Sequence, residues 1–248
     1  MNRIHAHAAS IAFCAALFIA GQHSAKAAET PFDDIAIPDS VMASLNAARA
    51  GKQLWMPKFK KISSDMLVSH GDKDSKATTE IEVLPNGLLR TRSTSSNAPD
   101  SQAISFGGIV HLKSQLKGES DDQIRVTTKL DLELPAELTL GAKIVSQSEM
   151  EYHIQQDGDM NLRMDSQCVV KERIDANTIF PKLTGKAAKL DCQYSYTYPE
   201  RPDSTTYKTI TIKTTTLYLE DLGLPLQQEI QTPSGSTSFA ITRMDIER

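Results

Sequence analysis

Ile124-Arg125-Val126-Thr127-Thr128-Lys129-Leu130-Asp131-Leu132-Glu133-Leu134 sets mostly aliphatic residues at even positions against Arg, Thr, Lys, Asp and Glu at odd ones. A period of two sends alternate side chains to opposite faces of a β-strand. One apolar face and one charged face mark an antiparallel sheet with a buried side and a wet side. The even-numbered face is therefore expected inside, with Leu130 and Leu132 in the interior.

Similar runs occupy about 62–70, 78–84, 88–96, 108–116, 143–155, 160–174, 186–198, 206–219, 224–232 and 236–246. Gly71-Asp72, Asn86-Gly87, Asp157-Gly158 and Ser234-Gly235 supply turn residues that tolerate positive φ. The pattern predicts about ten strands in meander order. Runs this long must twist and coil, so the expected fold is mainly β: a single, strongly curved antiparallel sheet, a half-barrel or open barrel with its apolar side concave. Upstream, Asp39 precedes Val41, Met42, Leu45 and Ala48, and Gly51 follows. A cap, a helical stripe and a terminal glycine predict one short amphipathic helix over 40–50.

The first residues read differently. Arg3 is the only early charge, Ala8 to Ala20 is apolar, and Ala25-Lys26-Ala27 closes the segment. A basic start, a short apolar run and an A-x-A site predict a cleavable export signal over 1–27. The run is too short for a membrane span, which needs roughly 20 apolar residues. Cys14 follows Phe13, not the small residue a lipidated leader requires, and is discarded with the signal. Residues 28–38 read as a flexible, proline-bearing lead-in, and 39–248 as a single β-rich domain.

Removing residues 1–27 from 248 leaves 221, enough for one domain with a substantial core. The leader takes Arg3 and Lys26 and no acidic residue, so 27 basic against 31 acidic becomes 25 against 31, a net charge of −6. Nucleic acid and anionic membrane select Lys/Arg clusters, so neither is expected as a partner. Lys58, Lys60 and Lys61 form too small a patch to change this. An exported location, periplasmic or secreted, and no integral membrane segment are expected.

Two cysteines remain, Cys168 and Cys192. An even count in an oxidising compartment favours a disulfide. Met164, Cys168 and Val170 share a parity, as do Leu190, Cys192 and Tyr196. Pairing the cysteines across neighbouring strands also sets Met164 opposite Tyr196, Leu162 opposite Tyr198 and Val170 opposite Leu190, and places the residues near Phe180 at the loop apex. Closing this loop stabilises the fold by about 3 kcal/mol on the chain-entropy model.

Chemistry-bearing motifs are sparse. His70, His111 and His153 lie on separate runs without metal-ligand spacing. Asp72 and Asp74 are followed by Ser75, Lys76 and Ala77, which breaks a calcium loop. There is no nucleophile elbow, phosphate loop or dinucleotide fingerprint, so no catalytic residue, metal site or cofactor is assigned. Tyr194, Tyr196 and Tyr198 share one strand face. Core packing suits them best, with a ligand platform or partner interface as the alternatives.

Near the C-terminus, Leu217-Tyr218-Leu219-Glu220-Asp221-Leu222-Gly223-Leu224-Pro225-Leu226 runs into a hairpin through Pro233-Ser234-Gly235 to Phe239-Ala240-Ile241. This close resembles that of bacterial half-barrel envelope proteins of the lipoprotein-carrier (LolA/LppX-like) type. The early hairpin Ile81-Glu82-Val83-Leu84-Pro85-Asn86-Gly87-Leu88-Leu89-Arg90 is similar to theirs as well. The cysteine pair and the single helix depart from that pattern. The resemblance implies a curved sheet that holds a lipid or other hydrophobic envelope component on its concave face, and it carries over no binding residue; strand parity and the tyrosine stripe make Leu130, Leu132, Tyr194, Tyr196 and Tyr198 the candidate ligand contacts. The competing expectations are an inhibitor or immunity-type protein that presses an exposed loop or edge strand on an envelope protein, and an enzyme with a dispersed site.

Overall fold

The computed structural model describes residues 32–96, 98–116, 123–154, 158–200 and 204–248. The segment expected to be an export signal, 1–27, lies outside the described residues. A 3-10 turn at Phe32–Asp34 leads to α1 (Asp39–Arg49) and a second turn at Gln53–Trp55. Twelve strands follow: β1 (Lys61–His70), β2 (Lys73–Val83), β3 (Leu89–Ser95), β4 (Ala98–Phe106), β5 (Val110–Leu116), β6 (Gln123–Glu133), β7 (Lys143–Ile154), β8 (Gly158–Asp175), β9 (Lys186–Pro199), β10 (Tyr207–Leu219), β11 (Leu224–Thr232) and β12 (Gly235–Glu247).

The sheet is antiparallel and in meander order, but it is a closed barrel of twelve strands, not an open half-barrel of about ten. β1 pairs with β12 over ten positions, from Lys61 with Glu247 to His70 with Thr237. That pairing removes both free edges and hence the need to protect them. One strand escapes the sequence pattern. β4 opens Ala98-Pro99-Asp100-Ser101, turn chemistry by composition, yet Ala98 already pairs with Ser95. Pro99 sits at the start of its strand, where proline is tolerated.

Closure is uneven. Among the described residues β5 meets β6 over four positions, Lys113–Leu116 against Gln123–Val126, and β11 meets β12 over four, Glu229–Thr232 against Gly235–Ser238. By contrast β9 and β10 pair over thirteen. The barrel is thus two six-stranded halves, β12-β1-β2-β3-β4-β5 and β6-β7-β8-β9-β10-β11, stitched by two short seams.

The chain before β1 crosses the end of the barrel where the seams are unpaired. α1 packs along β6 and buries Val41 and Leu45. Its N-cap is Pro38, and Asp39 is the first helical residue, where a carboxylate favours the helix dipole. Lys52 Nζ donates to Leu134 O at 2.9 Å, Trp55 Nε1 to Pro135 O at 2.9 Å, and Tyr218 Oη to Leu54 O at 3.2 Å. Trp55 stacks at a tilt on Tyr218, with centroids 5.0 Å apart, and lies against Gly107 in the β4–β5 turn. One indole therefore touches both halves, and this is the capped end.

Residues 32–37 belong to the segment read as a flexible lead-in. Phe32 is buried, and the buried Lys113 of β5 donates to Phe32 O and, at 2.7 Å, to Ile35 O, with its ammonium 4.2 Å from the Phe32 ring centroid. Arg90 pairs with Asp33 beside it. A cation that replaces its hydration with two carbonyls and an aromatic face fixes this segment to the wall.

Candidate functional site

The inward face is clearest on the half from β6 to β10. Leu130, Ser148, Met164, Tyr196 and Ile210 form one cross-strand row, Leu132, Ser146, Ser166, Tyr194 and Ile212 the next, and Ile144, Cys168, Cys192 and Thr214 a third nearer the cap. Leu130 and Leu132 are each 8% exposed, while Lys129, Asp131 and Glu133 between them are exposed. The expected parity holds here, but it does not extend through the whole strand. A bulge between Thr127 and Lys129 shifts the register, so Arg125 and Thr127 share the inward face, and Ile124 and Val126 turn outward yet remain buried.

Cys168 and Cys192 stand opposite each other on β8 and β9, sulfurs 2.01 Å apart and buried. Met164 faces Tyr196 and Val170 faces Leu190, as the register demands, and a bulge after Val170 ends it. Leu162 and Tyr198 pack in one cluster. Phe180 lies in the β8–β9 connection.

All three tyrosines of the stripe are on the inward face. The Tyr194 hydroxyl sits 3.9 Å from Cys168 Sγ. Burial pushes it up to about 12, and the neighbouring Thr214 hydroxyl opposes that only in part. Thr214 Oγ1 itself is enclosed without a hydrogen bond of normal geometry. Next to this row, Ser146 and Ser166 share a 2.7 Å hydrogen bond, while Ser148 Oγ is enclosed without any partner. Sequence reasoning missed these serines, because small polar residues at inward parity look like gaps in an apolar face.

His70 and His111 do not converge, and the side chain of His153 lies outside the described residues. His70 Nδ1 is 3.0 Å from Thr237 Oγ1, and His111 lies near Arg125, its pKa lowered to about 4 by burial and then by that cation. Among the described residues no group of three or more His, Cys, Asp or Glu is placed to hold a metal.

Two grooves mark the outer face. One, about 640 Å³, runs over β7–β11 and is lined by Gln147, Gln167, Gln193, Lys213 and Gln231 among others. The second, about 420 Å³, is lined by Lys60, Lys61, Glu80, Glu82, Arg90 and Arg92. Lys61 of the basic patch pairs there with Glu80 at 3.0 Å. No described helix is long and apolar enough to cross a membrane. Comparison with known proteins finds no matching family model, no matching curated protein and no matching solved structure.

Proposed function

We propose that the mature protein is a non-enzymatic, exported barrel, periplasmic or secreted and stapled by the Cys168–Cys192 disulfide, that holds a lipid or other hydrophobic envelope component in its interior. The observation that carries this reading is the division of the interior apolar surface. Met66, Val68, Ala77 and Phe239 form one buried group on β1, β2 and β12, and Met150, Leu162, Met164 and Tyr198 form another on β7–β9. Among the described residues the two groups share no member, and each borders the core at the capped end through a half-buried side chain, Ile241 for the first and Tyr194 for the second. Side chains fill the lumen of barrels of about eight strands, and diameter grows with strand number. Two such apolar walls inside a twelve-stranded ring suit an apolar guest. α1 and Trp55 close one end of the barrel to such a guest. A membrane-spanning barrel fits poorly, because the outward positions include Lys129, Asp131, Glu133, Gln147 and Gln193 where a lipid-facing band is apolar.

The outer groove favours a second reading, contact with an envelope protein, since its amides offer both donors and acceptors. Native mass spectrometry of protein purified from the cell envelope separates the two. A mass increment released by organic extraction is expected, whereas a lipid-free chain recovered with a stoichiometric protein would replace the first reading with the second.

A further inference from the structure

Within that hydrophobic-ligand reading, on which this inference rests, the geometry points to a neutral hydrogen-bonding group on the ligand, held at Ser148, so that the guest is an acyl chain ending in a hydroxyl or ester and not a free carboxylate or a bare hydrocarbon. Ser148 is 3% exposed, points inward from β7 and has Leu130 and Met164 as its direct cross-strand neighbours. Its Oγ has no hydrogen-bond partner within the protein. A buried hydroxyl in that state is destabilising unless something else satisfies it. The row beside it does not do so: Ser146 and Ser166 hydrogen-bond each other, and neither reaches Ser148 Oγ. Toward the far end the wall becomes apolar, with Met150, Leu162 and Met164, which is the surface an alkyl chain would cover.

The chemistry of the polar end follows from what surrounds it. The inward positions from Leu130 to Leu132 on β6, and from Ile144 to Met150, Leu162 to Val170, Leu190 to Tyr198 and Ile210 to Thr216 on β7–β10, carry hydroxyls, sulfurs and hydrocarbon but no charge. A carboxylate there would be desolvated with no cation in its row. The interior cation is Arg125, which lies with His111 on the β5–β6 side, beyond the bulge after Thr127. A ligand read by charge would go to Arg125, and a ligand read by a neutral hydrogen bond to Ser148.

Three probes of one chain length separate these cases: oleyl alcohol, oleate and 1-octadecene, each isotope-labelled, delivered from cyclodextrin to the full mature protein and counted after gel filtration. Oleyl alcohol is expected to bind about tenfold more tightly than octadecene, the scale of one hydrogen bond to an otherwise orphaned buried group. Ser148→Ala should collapse that gap while leaving octadecene binding unchanged and the melting temperature of the ligand-free protein equal to or above that of the parent, since the hydroxyl has no protein partner to lose and its unsatisfied burial is relieved. Equal binding of alcohol and alkene, tightest binding of oleate, or a lowered melting temperature in Ser148→Ala would overturn the assignment of Ser148 and leave the hydrophobic-ligand reading standing. Failure of all three probes to bind would overturn that reading itself.

Discussion

Leu132 and Glu133 are chain neighbours on opposite sides of one wall, and the difference between them is the local content of the fold. Leu132→Asp would set a carboxylate beside Ser146 and Ile144 in the interior, losing an aliphatic contact and desolvating a charge, at a cost of ~3 kcal/mol or more. Glu133→Lys changes a water-facing side chain and should stay within about 0.5 kcal/mol. Urea midpoints of the two variants check this, and equal tolerance would reverse the assignment of faces. His111 gives a pH dependence with a definite sign. Its residue is half-buried but Nδ1 is enclosed, and its pKa falls from 6.5 unfolded to about 4 folded. Between those values the unfolded chain binds the extra proton. The stabilisation from keeping it neutral is complete above pH 6.5 and is lost as pH falls toward 4, by up to ~3 kcal/mol. His111→Gln should flatten the stability profile across that window, and an unchanged acid slope would remove His111 as its source.

Element by element, the sequence was legible where a strand obeyed a single rule throughout. β9 alternates Leu190, Cys192, Tyr194 and Tyr196 without interruption, and its register with β8 was readable from the cysteines and apolar partners together. β4 was not legible, since Pro99, Asp100 and Ser101 carry loop chemistry at a strand start. Bulges after Thr127 and Val170 cannot be read from alternation, because each depends on what the partner strand does. The inward serines were invisible for a related reason: Ser146 and Ser166 are satisfied by each other, a fact of pairing and not of either strand. Pairing length also predicts where the barrel breathes. Amides in the two four-position seams, Lys113–Leu116 with Gln123–Val126 and Glu229–Thr232 with Gly235–Ser238, should exchange through local opening well before those of β8 and β9. Peptide-resolved hydrogen exchange tests this, and uniform protection around the ring would show that the halves open only by global unfolding. Replacing both cysteines with serine should cost about 3 kcal/mol, read as a lower melting temperature of the non-reduced protein.

At the scale of the whole molecule, closure was the feature least accessible to sequence, because β1 and β12 are the most distant strands in the chain and nothing in either names the other. What holds the two halves at the capped end is a set of contacts between turns. Gly108, in the β4–β5 turn of one half, has φ +65° and lies so close to Pro225 on β11 of the other that an added Cβ would meet its ring carbons at 2.4 and 2.5 Å. Gly141 has a similar φ of +82° but nothing within 4 Å of the same added atom. Alanine at either position incurs the left-handed backbone cost of about 1–2 kcal/mol. Only Gly108→Ala also forces the halves apart, so it should be destabilised by at least ~1 kcal/mol more than Gly141→Ala. Pro225→Ala removes the ring carbons that the new methyl would strike, so Gly108→Ala/Pro225→Ala should be more stable than the two separate losses predict. A favourable coupling of about 1 kcal/mol or more is expected from the cycle measured by urea unfolding. Strict additivity would mean that the turn does not bear on β11, leaving the other capped-end contacts, those of Trp55 with Tyr218 and Gly107 among them, to join the halves.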